Sequence, residues 1–179
     1  LDFGEIMFIS GYGLVDLLKS TNKKELVGIE LGCGDGDTTL HLLSNLPNLT
    51  LYGIDPYIGY DDFNGHNPAE MLAGNLVNTM RKIDPYKDRF TLYRDISDNV
   101  VDKFDDGSLD FIFIDGLHSY DQVLKDCENY YPKIKKGGLF SGHDYRVIDS
   151  VNRAVNEFAA KVSVSEIGET QNDVWYWVK

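Results

Sequence analysis

Asp115 closes the apolar run at residues 111–114, and His118 follows it by three positions, just ahead of a stretch with helical period. A carboxylate beside four apolar residues is costly to bury unless something pairs with it. An imidazole at that distance can accept a proton near neutral pH or join a metal site. The plainer alternative is that His118 only caps the helix starting near Ser119.

A second constellation lies upstream. "GIELGCGDGDTT" (28–39) sets Gly32, Gly34 and Gly36 between an apolar run and a helical stretch, where glycine lets backbone turn sharply and approach a ligand. The spacing is Gly-x-Gly-x-Gly, not the dinucleotide Gly-x-Gly-x-x-Gly. Glu30 and Asp35 bring negative charge to where a pyrophosphate would lie, so a ligand of cationic character is favoured over an anion. About twenty residues on, Asp55 ends the next apolar run and can accept both hydroxyls of a ribose. Asp95 ends the run after that, positioned to receive an exocyclic amine of a base. Together the glycines and these acids predict a nucleoside site; separately, the glycines could make a tight turn and the acids cap helices.

These residues need elements to hold them at one edge. "LVGIEL" (26–31), "LTLYGID" (49–55), "RFTLYRD" (89–95), residues 111–114 and "GGLFSGHD" (137–144) read as strands. Residues 37–46, 68–82, 119–131 and 147–160 carry apolar residues at helical spacing. This alternation predicts a doubly wound α/β fold with a mostly parallel sheet and helices on both faces. "KVSVSEI" and "DVWYWVK", separated by "GETQN", predict a closing antiparallel hairpin and a sheet of seven strands. Residues 1–24 read as a helical lead-in with Leu14, Leu17 and Leu18 on one face, and residues 25–179 as a single domain.

Bulk composition narrows the partners. A chain of 179 residues is enough for one self-sufficient core. A net charge of −12 argues against nucleic acid and anionic lipid. No apolar run approaches the ~20 residues of a membrane span, and "LDFGEIMFISGYG" lacks the basic start of a signal peptide. Cys33 and Cys127, far apart, suit a reduced, cytoplasmic setting.

The run "VGIELGCGDGDTT…LYGIDPY…LYRDIS…FIFIDGLHSY…GGLFSGHDY" resembles the class I S-adenosylmethionine-dependent methyltransferases, from about residue 25 to the end. The resemblance implies that Glu30, Gly32, Gly34 and Gly36 surround the amino-acid end of the cofactor and that Asp55 takes its ribose. Pro56 and Tyr57 would flank the adenine, Asp95 and Ile96 would meet its edge, and Asp115 would lie beside the sulfonium. "IDGLH" and "GHDY" are similar to the metal-dependent O-methyltransferases of catechol and macrolide-sugar type. That likeness implies a divalent metal, Mg²⁺ first, on Asp115 and Asp144, with His118 as general base. Tyr145 stands where the catechol type has an asparagine, which leaves the third protein ligand open. His143 is either a partner of the metal ligands or a core histidine.

The implied reaction is O-methylation of a small polyhydroxylated molecule, a sugar or sugar-bearing metabolite. Metal-independent methyl transfer and a cofactor-binding module without catalysis are the alternatives. The long segment 55–70 suits a substrate wall, with Tyr57, Tyr60, Phe63 and His66 lining it and Asp61 or Asp62 binding hydroxyls. Ser10 to Tyr12 could cover the cofactor from the other side, and Trp175 with Trp177 reads as sheet packing or a subunit contact.

Overall fold

The computed structural model describes residues 12–62, 64–170 and 172–179. Helix α1 (Tyr12–Ser20) is the described part of the lead-in, with Leu14 and Leu18 buried. Ser10, Gly11, the side chain of Tyr12, and Phe63 lie outside the described residues.

From there the chain alternates as expected: β1 (Leu26–Leu31), α2 (Asp37–Asn45), β2 (Leu49–Ile54), then a small hairpin of β3 (Tyr60–Asp62) and β4 (Gly65–Asn67). Next come α3 (Ala69–Ile83), β5 (Phe90–Tyr93), α4 (Ser97–Val100), β6 (Leu109–Ile114), α5 (Tyr120–Tyr130), β7 (Ile134–Gly142), α6 (Asp149–Lys161), β8 (Gly168–Glu169) and β9 (Trp175–Val178). The seven-stranded sheet runs β5-β2-β1-β6-β7-β9-β8. Strands β5, β2, β1, β6 and β7 are parallel, whereas β9 is antiparallel to both β7 and β8.

Strand β6 shows why the sheet must be covered on both sides. Phe111 and Phe113 enter one core cluster with α1 and α2, while Ile112 and Ile114 enter the other with α5 and α6. Alternate side chains of one strand point to opposite faces, so an unbroken apolar run requires two layers of helix. Burying a phenylalanine such as Phe113 contributes roughly 1.5–3 kcal/mol. A two-residue slip in β6 would leave the pattern intact but carry Asp115 away from the sheet edge.

The strand order reverses between β1 and β6, since β1 leads to β2 on one side while β6 lies on the other. In open α/β sheets the crevice outside the carboxyl ends of the strands at such a point is where ligands bind. Glycine-loop residues follow β1, and Asp115 follows β6, at that crevice.

The closing hairpin departs from expectation. Helix α6 continues to Lys161, Ser163 adopts φ 60°, and the Val164 N–H donates to the Ala159 carbonyl, a turn that ends the helix. Val162, Val164 and Ile167 then pack on the core from the side, and only Gly168–Glu169 pairs with β9. Of the two readings of Trp175 and Trp177, sheet packing is correct: they are buried with Phe140 and Phe158.

Candidate active site

The glycine loop is held from several sides. At Gly32, φ is +84° and a Cβ would stand 2.0 Å from the Asp115 carbonyl oxygen, so no other residue fits where β1 meets the end of β6. At Gly34, φ is +53° and a Cβ would meet nothing within 4 Å, leaving an open side against bare backbone. Asp55 Oδ2 accepts the N–H groups of Cys33 and Gly34, each at 3.0 Å, and Oδ1 accepts that of Tyr57 at 2.8 Å. Burial raises the Asp55 pKa against the pull of those donors. A carboxylate has about four acceptor sites, so Asp55 first shapes the loop and retains capacity for one more donor.

Glu30 is fully buried beneath the loop. Its Oε2 accepts the Thr39 hydroxyl at 2.6 Å, while Oε1 has no hydrogen-bond partner. Burial, opposed by Thr39 and reinforced by Asp115 and Asp55, raises its pKa to about 8. A buried acceptor without a donor is a strained arrangement for a finished core and suits a cationic ligand group. The open side at Gly34 and this orphaned oxygen fit the amino-acid end of S-adenosylmethionine.

Other expected cofactor residues are distributed less simply. Tyr57, with φ 50°, is buried, and its hydroxyl donates to Thr79 Oγ1 at 3.1 Å, so the ring is part of the wall beneath the loop. Asp95 and Ile96 are exposed after β5, where Asp95 Oδ1 accepts the Ile96 N–H and the Asn99 amide. Pro56 lies between Asp55 and Tyr57 and is half-buried.

Asp115, His118 and Asp144 come together at the ends of β6 and β7, each offering a ligand atom within 4.8 Å of the others. His118 Nε2 is 2.9 Å from Asp144 Oδ2 and 3.7 Å from Asp115 Oδ1. On its other side, Nδ1 is 2.7 Å from Asp62 Oδ2. Three carboxylates facing the two ring nitrogens favour the protonated form of the ring. Burial by itself would lower its pKa, but the hydrogen bonds to Asp115, Asp144 and Asp62 outweigh that and raise it to about 11. Burial would raise the Asp144 carboxyl, yet hydrogen bonds from His118 and His143 hold it well below the usual range.

Several expectations are thereby corrected. Ser119, not His118, is the N-cap of α5: its hydroxyl accepts the Gln122 N–H. His143 sits against Phe113, but its Nδ1 is 3.1 Å from Asp144 Oδ1, which makes it a partner of the cluster. The Tyr145 hydroxyl donates to Asn156 Oδ1, away from the acids, so the third protein ligand of a cation stays open. Asp62 is a buried partner of His118, not an acid open to substrate, with only 5% of its side chain exposed. Pairing of Asp61 with His66 (2.8 Å) forms on the exposed outer side of the hairpin, so His66 does not wall the crevice. Strand period two would have put Asp61 and Asp62 on opposite faces, but "YDDFNGHN" has no apolar alternation to announce a strand.

The donor set fits a hard divalent cation. Two carboxylates from adjacent strand ends, each with about 19% of its side chain exposed, leave room for water ligands of the kind Mg²⁺ keeps. A cation there would displace His118 Nε2 from the Asp144 oxygen that it faces at 2.9 Å.

Comparison with known proteins follows this geometry. A family model described as "Methyltransferase domain" matches residues 29–145. An uncharacterised protein of Acanthamoeba polyphaga mimivirus is 26% identical over 170 residues, spanning 92% of this chain and 73% of that one. Among solved structures, the O-methyltransferase NovP superposes with a TM-score of 0.67 at 20% identity, covering 92% of this chain and 76% of its own. A Staphylococcus aureus protein provisionally named as a caffeoyl-CoA O-methyltransferase gives 0.63 at 13% identity, covering 93% and 80%. Spermidine synthase from Thermotoga maritima gives 0.64 at 15%, covering 95% and 58%. One fold thus serves different transfers, and the site must identify the reaction.

Proposed function

Because this chain belongs to the methyltransferase domain family and is an S-adenosylmethionine-dependent enzyme, we propose that it methylates a hydroxyl of a small polyhydroxylated molecule, a sugar or sugar-bearing metabolite. NovP and the Staphylococcus aureus protein bear O-methyltransferase names. The observation that carries the reading here is the convergence of Asp115, His118 and Asp144 at the strand-order reversal.

Bound S-adenosylmethionine supplies an electrophilic methyl group on a sulfonium. Glu30 and the glycine loop hold its amino-acid end, and Asp55, Pro56, Tyr57, Asp95 and Ile96 take the nucleoside. Asp115 and Asp144 would hold a divalent cation, Mg²⁺ in the first instance, which would acidify and orient neighbouring hydroxyls. With a cation on the Asp115 and Asp144 oxygens, His118 would release its Nε2 proton to solvent and could then accept the acceptor hydroxyl's proton at that nitrogen. Asp62, at Nδ1, keeps the ring in the tautomer that presents Nε2.

A second reading has its own support. His118 reaches Asp62, Asp115 and Asp144 at once, so the alternative is a metal-independent enzyme in which this imidazole alone serves the acceptor. Turnover of S-adenosylmethionine with a panel of sugars and vicinal diols, with Mg²⁺ and with a chelator, separates the two. Activity confined to the Mg²⁺ arm supports the first; equal activity in both supports the second. S-adenosylmethionine binding with no methylation of any hydroxyl acceptor overturns the O-methyltransferase assignment. The two buried free cysteines agree with a cytoplasmic enzyme; no helix of the described residues is long and apolar enough to cross a membrane.

A further inference from the structure

Helix α3 presents an outward face unlike that of a solvated helix. Met71 (44% exposed), Val77 (67%) and Met80 (49%) project from it, with Ala73 and Gly74 exposed between them. Gly74 has open space where a Cβ would stand. Charge is confined to the ends of this face, with Glu70 one turn before Gly74 and Arg81 one turn after Val77. Among the described residues neither Glu70 nor Arg81 makes an ion pair, whereas Lys82, just behind, is tied to Asp35 and Asp37. Ile58, also exposed at 54%, extends the patch, because the adjoining Gly59 packs on the first residue of α3.

The order of these residues is self-complementary. At about 100° per residue, Glu70, Gly74, Val77 and Arg81 fall in one stripe of the helix, flanked by Met71 on one side and Met80 on the other. A two-fold axis through the middle of the stripe, between Gly74 and Val77, sets two antiparallel copies of α3 face to face. Val77 of each copy then lies over Gly74 of the other, and Glu70 lies opposite Arg81 at both ends. The buried positions Leu72 and Thr79 exchange with each other under the same operation, so no inward residue is turned outward. Isologous contacts of this kind are what two-fold dimers require. A bare glycine lets helix axes approach at the short end of the usual 8–10 Å.

We propose that α3, with Ile58, is the interface through which a second copy of this chain docks as a two-fold dimer. The occupant is a like chain, because the apolar stripe ends in opposite charges whose order reverses on rotation; an unrelated partner would not need that symmetry. The inner face of the same helix supports the glycine loop. Thr79 Oγ1 donates to the Gly34 carbonyl at 3.0 Å, and Lys82 reaches Asp35 at 2.9 Å. Docking on the outer face therefore braces the helix against which the cofactor loop rests.

Sedimentation velocity and light scattering on the full chain test this. The expected result is a species of twice the 20.2 kDa chain mass that dissociates on dilution. Val77→Arg should leave only the single-chain mass, with an unchanged circular dichroism spectrum showing that the fold survives. Glu70→Arg and Arg81→Glu should each weaken the dimer, by setting like charges opposite one another, and the double exchange should restore it. A wild-type chain that stays at the single-chain mass at every concentration overturns the proposal; so does a Val77→Arg dimer, or a double exchange no better than the single ones. If removal of residues 1–11 creates the dimer, the occupant in the intact chain is that segment, and the proposal fails.

Discussion

Asp62 Oδ2 lies 2.7 Å from His118 Nδ1, so the β3–β4 hairpin reaches across 56 positions of sequence to orient the imidazole. The contact leaves Nε2 as the nitrogen that faces Asp144 and Asp115. Partners that orient a functional histidine are typically worth 10- to 100-fold when removed. Asp62→Ala should lower kcat by about 10–100-fold while leaving the dissociation constant for S-adenosylmethionine unchanged. Steady-state kinetics and calorimetry on the same preparation check both halves. Unaltered turnover would show that the hairpin contact has no part in the reaction.

His118 is the counter-charge of Asp115 and Asp144 when no cation is present. His118→Ala should therefore lower the melting temperature in chelator, because two carboxylates are left facing each other, and added Mg²⁺ should recover much of the loss. Turnover should fall by roughly 10²–10⁴-fold in both conditions, the usual worth of a general base. Thermal melts with and without Mg²⁺, repeated for Asp144→Ala as the variant lacking a ligand, provide the comparison. Equal melting of His118→Ala in chelator and in Mg²⁺ would count against a cation at these acids.

Gly32→Ala should abolish cofactor binding. The added methyl would stand 2.0 Å from the Asp115 carbonyl oxygen at a φ of +84°, so the loop must shift away from β6. Titration with S-adenosylhomocysteine should show no binding heat, whereas the open site of Gly34 should tolerate alanine less severely. Equal binding by the two variants would contradict this account of the loop.

Asp126 gives a pH signature remote from the reaction. It is a buried residue of α5, and burial, opposed by hydrogen bonds from Ser97 and Gln122, raises its pKa from 3.8 to about 6. The folded state thus binds its proton more tightly than the unfolded state does. This contribution is complete below pH 3.8 and declines as pH rises to about 6; above that the ionised buried acid remains a constant cost. Asp126→Asn should flatten the stability curve across that window and raise stability at pH 7 by of the order of 2 kcal/mol. Urea unfolding between pH 4 and 8 measures the slope; an unchanged slope would rule the assignment out.

What could be read in the sequence is what the residues decide locally. Residues 111–114 are apolar on both faces and read as a central strand, and the three glycines after β1 read as a turn. "KVSVSEI" misled because alternating valine and serine imitate a half-buried strand, while the hydrogen bond from Val164 to Ala159 ends α6 there instead. Asp62 was visible as an acid, but its role depends on a histidine far along the chain. A polar hairpin carries no periodic mark of what it will touch. The same holds for Ser119, whose capping competence was equal to that of its neighbour until the start of α5 was fixed.

The seam at Gly32 leaves no slack between the loop proposed to cradle the methyl donor and the strand end that carries Asp115. Donor and acceptor platforms are cut from one block, so their spacing is not a quantity that mutation can adjust gradually. The β3–β4 hairpin stands outside the seven-stranded sheet, yet through Asp62 it is tied to His118 at the same edge.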